Sequence, residues 1–130
     1  MAILDTSFLI DILHSKMEAA NLLDELERKE PALFVAAPTV MELWEGALQS
    51  RLSEKEKARI DGLLATLKVL YLDVRAAKLA AEIDFDLSRK GTPLELRDVM
   101  IGAIAMSNGE AVVTKDSDYA RIPGLRVLKY

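Results

Sequence analysis

The chain contains no cysteine and a single histidine, His14. The absence of cysteine excludes disulfide bonds, zinc–thiolate sites and cysteine nucleophiles. One histidine is too few for a multi-histidine metal site, and it disfavours a Ser-His-Asp triad built within the chain. The chemistry of any functional site is therefore left to carboxylates, hydroxyls and basic side chains.

Long apolar runs are also missing. The longest stretches without a charge, 31–41 and 99–109, are eleven residues each, whereas a membrane-spanning helix needs about 20. Asp5 and Asp11 interrupt the apolar run near the N-terminus, so we expect no signal peptide. These patterns predict a cytoplasmic protein with no membrane segment.

The composition is that of a folded domain. Of 130 residues, 51% are hydrophobic, and 17 Lys and Arg against 21 Asp and Glu give a net charge of −4. Intrinsic disorder is excluded because it requires low hydrophobicity and high net charge. No internal repeat, linker or low-complexity tract divides the chain, so we expect a single domain over 1–130.

The hydrophobic pattern alternates between short apolar runs and amphipathic segments. The apolar runs predict strands at 2–4, 33–36, 69–72, 111–114 and 126–128. The amphipathic segments predict helices at 6–14, 16–29, 39–49, 53–68, 73–89 and 94–107. This pattern favours an α/β fold: one three-layer domain with a central parallel sheet of four to five strands flanked by helices. In such sheets the ligand crevice lies beyond the carboxyl ends of the strands.

Five acidic residues fall where such a crevice is expected. Asp5 ends the first strand, and Asp116 and Asp118 follow the fourth. Neighbouring strands lie about 4.8 Å apart, so these acids share one crevice if the two strands are adjacent. Glu42 opens the helix after the second strand, and Asp98 lies on the apolar stripe of the 94–107 helix.

Each acid also has an ordinary structural interpretation. Residues 39–42 match a capping box, in which Glu42 folds back onto the first turn of its helix, and 53–56 match another. Asp5 can cap the helix that follows it, and 116–118 can form an Asx-turn. Taken singly, none of these four acids indicates a function.

Asp98 fits a structural role least well. Residues 92–95 already supply a capping box for its helix, which leaves Asp98 too deep in the helix to act as a cap. A buried lone carboxylate must be paired or must bind a cation. Several acids in one crevice would repel one another, and a hard divalent cation with oxygen ligands, Mg²⁺ or Mn²⁺, relieves that repulsion. Such an ion suits phosphate substrates and activates water.

Four segments of the chain resemble the acidic motifs of PIN-domain ribonucleases. They are 5–7 (Asp-Thr-Ser), 42–46 with its Glu, Leu and Gly, 98–103 and 114–119. The length and layout are similar to those of the VapC-type toxins of toxin–antitoxin pairs, and the resemblance spans 2–128. It implies a PIN-like fold and Mg²⁺- or Mn²⁺-dependent hydrolysis of RNA that leaves a 5′-phosphate and a 3′-hydroxyl.

The resemblance also assigns roles to individual residues. The metal-binding, catalytic acids would be Asp5, Glu42, Asp98 and Asp116, with Asp118 as an accessory ligand. Ser7 and Thr114 would be hydroxyl groups that orient those carboxylates, as outer groups around metal sites commonly do.

Two positions depart from the family pattern. Gly102 stands where the family more often has alanine, and Tyr119 where phenylalanine is usual. The choice between Asp116 and Asp118 as the direct metal ligand is open.

The acidic balance, with a pI near 5.1, is unusual for a protein that binds RNA, because affinity for phosphates normally comes from Lys and Arg. Local bases are nevertheless present. Arg97 and Lys115 each adjoin a proposed metal ligand in sequence, so we predict that they bind substrate phosphates.

The resemblance further implies a homodimer and a cognate antitoxin whose tail fills the acidic groove. An acidic crevice would attract a basic or Arg-bearing tail. The apolar faces around Leu9, Ile12, Leu13 and Trp44 can form such an interface, although residues of these types are more commonly core.

Two alternatives keep the fold but change the function. One is a catalytically weak RNA- or protein-binding module in which the acids serve only caps and turns. The other is an RNA-processing nuclease that is not a toxin. Clustered metal ligands predict that Mn²⁺ raises the melting temperature by mass action, whereas scattered caps predict no such rise.

Overall fold

The computed structural model describes residues 2–130, which form five β-strands, six α-helices and one 3₁₀ helix. The strands are β1 (Ala2–Leu4), β2 (Leu33–Ala36), β3 (Lys68–Leu70), β4 (Ala111–Thr114) and β5 (Val127–Lys129). The helices are α1 (Thr6–Leu13), α2 (Met17–Lys29), α3 (Ala37–Gln49), α4 (Ser53–Leu64), α5 (Val74–Arg89) and α6 (Leu96–Ser107), and the 3₁₀ helix is Ser117–Arg121. Within residues 2–130, none of the helices has both the length and the apolar character needed to span a membrane.

The strands form one parallel sheet in the order β3-β2-β1-β4-β5. The chain winds one way from β1 to β3 and the other way from β4 to β5, so the direction reverses between β1 and β4. Sheets of this type bind ligands at such a reversal, outside the carboxyl ends of the strands. The predicted α/β fold is confirmed, and its geometry places the expected crevice beyond Leu4 and Thr114.

Alternate side chains of β1 belong to two separate cores, because successive residues of a strand point to opposite faces of a sheet. Ile3 lies in one cluster with Ile83 of α5 and Ile104 of α6. Leu4 lies in the other, with Phe8 of α1 and residues of α2, α3 and α4. A hydrophobic core on each face gives the predicted three layers.

Several predicted boundaries are wrong by a few residues. α3 begins at Ala37 rather than 39, because Pro38 fits the first turn of a helix, where its missing N–H is not needed. α4 ends at Leu64 rather than 68, and β3 begins at Lys68. α6 begins at Leu96 rather than 94, a difference that changes the interpretation of the site.

The apolar residues predicted to offer a partner interface contribute mostly to the core. Leu9 is fully buried. Ile12, Leu13 and Trp44 are partly buried and pack against the cluster that contains Leu4. The packing therefore supports a role in the core for these four residues.

Candidate active site

A cavity of about 240 Å³ opens beyond the carboxyl ends of β1 and β4, and we call it the acidic pocket. Ser7 and Arg97 contribute to its walls. Its acidic lining residues are Asp5, Glu42, Glu95, Asp98, Asp116 and Asp118. All five acids predicted from the sequence thus meet in one pocket, because β1 and β4 are neighbours in the sheet.

Asp5 is the most firmly held of these acids, with only 4% of its surface exposed. Its Oδ2 accepts hydrogen bonds from Thr114 Oγ1 at 2.8 Å and from Ser7 Oγ at 3.1 Å. Its Oδ1 accepts a hydrogen bond from the Tyr119 hydroxyl at 2.8 Å. Asp5 precedes α1 but makes no side-chain capping bond, so the capping interpretation is wrong. Its carboxylate is instead fixed by the side chain of nearby Ser7 and by those of Thr114 and Tyr119, which are distant in the sequence.

Asp98 lies in the first turn of α6 and does not cap it. The predicted conclusion that Asp98 is not a cap therefore agrees with the structure, but its reason, a position deep in the helix, is wrong. The capping box predicted at 92–95 is absent, because α6 begins later and has no side-chain cap. Burial raises the pKa of Asp98 to about 6, and repulsion by Asp5 and Asp116 adds to the shift. A helix N-terminus normally favours a negative charge, so here burial and repulsion outweigh the helix dipole.

Asp116 and Asp118 have different partners. Asp116 Oδ1 accepts a hydrogen bond from Asp118 N at 2.8 Å and caps the 3₁₀ helix, so the predicted Asx-turn is present. Asp118 forms an ion pair with Arg121 at 3.3 Å. Of the two, Asp116 is the acid whose charge raises the pKa of Asp98, and it is therefore the better candidate for a direct ligand.

Glu42 forms an ion pair with Arg97 across the pocket wall, with Oε2 and Nη2 3.0 Å apart. The capping box predicted at 39–42 is wrong, because α3 has no side-chain cap. Thr39 is fully buried and accepts a hydrogen bond from Thr6 Oγ1 at 3.2 Å. The capping box predicted at 53–56 is likewise absent from α4. Arg97 also pairs with Glu95 at 3.3 Å, which places its guanidinium at the rim of the pocket.

The structure does not bring Lys115 into the acidic pocket. Its Nζ donates hydrogen bonds to both carboxylate oxygens of Asp11, at 3.1 and 2.9 Å. Tyr130 donates a third hydrogen bond to Asp11 Oδ2 at 2.8 Å. Asp11 was not singled out from the sequence, because its partners lie more than a hundred residues away.

The chemistry of the pocket suits a hard divalent cation. Every candidate ligand is a carboxylate oxygen, the type that Mg²⁺ and Mn²⁺ prefer together with several waters. In residues 2–130 no three His, Cys, Asp or Glu side chains are arranged to hold a metal ion by themselves, so waters would have to complete the coordination. The partly buried carboxyl group of Asp98, whose pKa is raised by burial and then by the charges of Asp5 and Asp116, is the observation that fits a cation here.

Comparison with known proteins identifies the family to which the chain belongs. The model of the PIN domain family matches residues 2–125. The tRNA(fMet)-specific endonuclease VapC of Salmonella typhimurium is 34% identical over 125 residues, covering 95% of this chain and 93% of that protein. The protein of the same description from Shigella flexneri is 32% identical, covering 95% and 92%.

A solved structure extends the likeness to three dimensions. A chain in the crystal structure of DNA-bound VapBC from Salmonella typhimurium matches with a TM-score of 0.89 and 32% identity, covering 99% of this chain and 98% of that one. These matches cover nearly the whole chain, including the parallel sheet and the acidic pocket. This chain belongs to the PIN-domain family and is a ribonuclease of the VapC type.

Proposed function

We propose that the acidic pocket is the active site of this ribonuclease, and that Asp5, Asp98 and Asp116 bind Mg²⁺ or Mn²⁺ there. Glu42, Glu95 and Asp118 are the other acids of the lining. The observation that carries the proposal is that three carboxylates line one pocket: Asp5 directly after β1, Asp98 in α6 and Asp116 at the cap of the 3₁₀ helix. Burial raises the pKa of Asp98, and the charges of Asp5 and Asp116 add to the shift. Such a cluster is costly near neutral pH unless a cation binds it.

When bound, the ion would neutralise charge on the scissile phosphate and lower the pKa of a water molecule that attacks it. The protein's own residues orient the metal ligands and the group that binds substrate phosphates. Ser7 and Thr114 donate to Asp5 Oδ2, which fixes the direction of its carboxylate. Arg97 at the rim offers a guanidinium to substrate phosphates, a group suited to phosphate oxygens, and Glu42 holds it in place.

The substrate that we propose is a tRNA, and the biological role that of a toxin. Two relatives above 30% identity are tRNA(fMet)-specific endonucleases, which supports tRNA as the substrate class. A structural match is a chain of a VapBC complex, which supports a cognate antitoxin as partner. We also propose a homodimer, as the family resemblance implies.

A cleavage assay tests the proposed function. The protein, purified free of any partner, is incubated with 5′-labelled tRNA and single-stranded RNA with and without Mn²⁺. Asp98→Asn removes a proposed ligand, and Asp86→Asn makes the same change at an exposed position of α5. We expect metal-dependent cleavage by the wild type and by Asp86→Asn but not by Asp98→Asn.

The other outcomes are equally informative. Cleavage that survives Asp98→Asn would show a wrong site assignment or a contaminating nuclease. No cleavage by any of the proteins, with no rise in melting temperature on addition of Mn²⁺, would favour the binding-module alternative.

A further inference from the structure

Tyr119 places one hydroxyl group between two of the acids. The residue lies in the 3₁₀ helix, and its side chain is fully buried. Its hydroxyl oxygen is 2.8 Å from Asp5 Oδ1 and 3.3 Å from Asp98 Oδ1. A phenylalanine of the same shape would fill the space but would leave both carboxylate oxygens without this contact.

The hydroxyl acts as a donor near neutral pH, where a tyrosine carries its proton. A phenol carries a single proton, and both carboxylates lie within reach of it as acceptors, so it is donated to one of them or shared between the two. Asp5 is the nearer acceptor. A hydrogen bond to either carboxylate stabilises its charge and offsets part of the repulsion between the two acids.

The 3₁₀ helix that carries Tyr119 is held at both ends. Asp116 caps the 3₁₀ helix in which it lies. Ile122 N donates to Tyr119 O at 3.1 Å at the other end of this helix. Ile122 in turn packs directly over Gly102, one helical turn after Asp98 on α6. The helix that carries Tyr119 is thus held by Asp116 at one end and, through Ile122, against α6, which carries Asp98.

We propose that Tyr119 is a positioning residue for metal binding, whose hydroxyl holds Asp5 and Asp98 at the spacing that lets one ion contact both. This inference rests on the proposed function. The ring packs in the core, and the hydroxyl acts through the two acids. Groups that orient metal ligands in this way typically contribute about 10- to 100-fold to metal affinity.

Tyr119→Phe separates the hydroxyl from the packing of the ring. We would titrate Mn²⁺ into the RNA-free protein and follow the free ion by electron paramagnetic resonance. The matched control is Tyr71→Phe, which also removes a tyrosine hydroxyl, but from an exposed side chain that does not line the acidic pocket. We expect Tyr119→Phe to weaken Mn²⁺ binding about tenfold and Tyr71→Phe to leave it unchanged.

A second measurement distinguishes positioning from a general loss of structure. In RNA cleavage, the Mg²⁺ concentration for half-maximal rate should rise in Tyr119→Phe, while the rate at saturating Mg²⁺ returns close to that of the wild type. Wild-type Mn²⁺ affinity in Tyr119→Phe, or a rate that saturating Mg²⁺ does not restore, would overturn this inference alone. A wild type that binds no Mn²⁺ would overturn the proposed function and this inference with it.

Discussion

Gly102 lies where α6 meets the 3₁₀ helix and its following loop. A Cβ atom at this position would be 2.6 Å from Ile122 Cδ1 and 3.6 Å from Leu125 Cδ2. Carbon atoms pack best at about 3.5–4.0 Å, so the first distance is a clash and the second is ordinary contact. Because Ile122 is only 2% exposed, its side chain has little room to move away.

Gly102→Ala therefore combines two opposing effects. The helix gains about 1 kcal/mol, because alanine has a higher helix propensity than glycine. Overpacking a buried contact costs about 1–3 kcal/mol. Taking the middle of that range, we expect the free energy of unfolding to fall by about 1 kcal/mol.

The clash can be removed by a second substitution. Ile122→Val deletes the Cδ1 atom and by itself costs about 1 kcal/mol. In that background Gly102→Ala should raise the free energy of unfolding by about 1 kcal/mol, so the sign of its effect reverses. Urea unfolding in EDTA measures all four proteins. Gly62→Ala, where a Cβ would meet nothing within 4 Å, is the control. An effect of Gly102→Ala with the same sign in both backgrounds would refute this reasoning.

Three further predictions concern contacts in and beside the acidic pocket. Thr114→Val removes the 2.8 Å hydrogen bond to buried Asp5, so urea unfolding should show a loss of about 1–3 kcal/mol; unchanged stability would contradict this. Arg97→Ala should raise the KM for RNA about tenfold, as expected for one charge-assisted hydrogen bond, and leave kcat nearly unchanged in steady-state assays. Hydrogen bonds from Lys115 lower the pKa of Asp11 and outweigh the opposing effect of burial. Because a lowered pKa stabilises the fold above the unfolded-state value of about 4, the stability of wild type relative to Asp11→Asn should be greatest above that pH. Denaturant titrations should show that advantage shrinking as the pH falls through the folded-state pKa, and an advantage that grows in acid would contradict the pairing.

The sheet was predictable because its strands are short, apolar and buried. Ile3 and Leu4 face different cores, so nearly every residue of β1 must be hydrophobic, and the run stands out in the sequence. Parallel strands bring their carboxyl ends together. Acids that follow β1 and β4 could therefore be placed at one edge of the sheet, and in one crevice if the two strands are adjacent, as the structure has them.

The starts of α3 and α6 were not predictable from the same kind of pattern. A capping box records residue types at a spacing, but whether it forms depends on where the helix begins. Thr39 had the right spacing to Glu42, yet its hydroxyl accepts a hydrogen bond from Thr6 in the core. Glu42 pairs with Arg97 on another helix. Tertiary contacts decided the roles of both residues.

Hydrogen bonds between residues that are far apart in the sequence could not be predicted either. Lys115 adjoins Asp116 in the chain, and that proximity predicted a substrate contact. In the structure its side chain turns to Asp11, 104 residues away. Tyr119 was noted only as a departure from phenylalanine, whereas its hydroxyl contacts Asp5 at a separation of 114 residues. Neither pairing leaves a local signal in the sequence.

Locating the ion in crystals would test the proposed metal site. Crystals of the protein without antitoxin, soaked in MnCl₂, would show bound Mn²⁺ by its anomalous scattering. We predict a peak inside the acidic pocket, in contact with the carboxylates of Asp5, Asp98 or Asp116, and its loss in Asp98→Asn. No peak, or a peak confined to an acidic surface elsewhere such as Asp24 and Glu25 on α2, would contradict the assignment of this pocket as the metal-dependent active site.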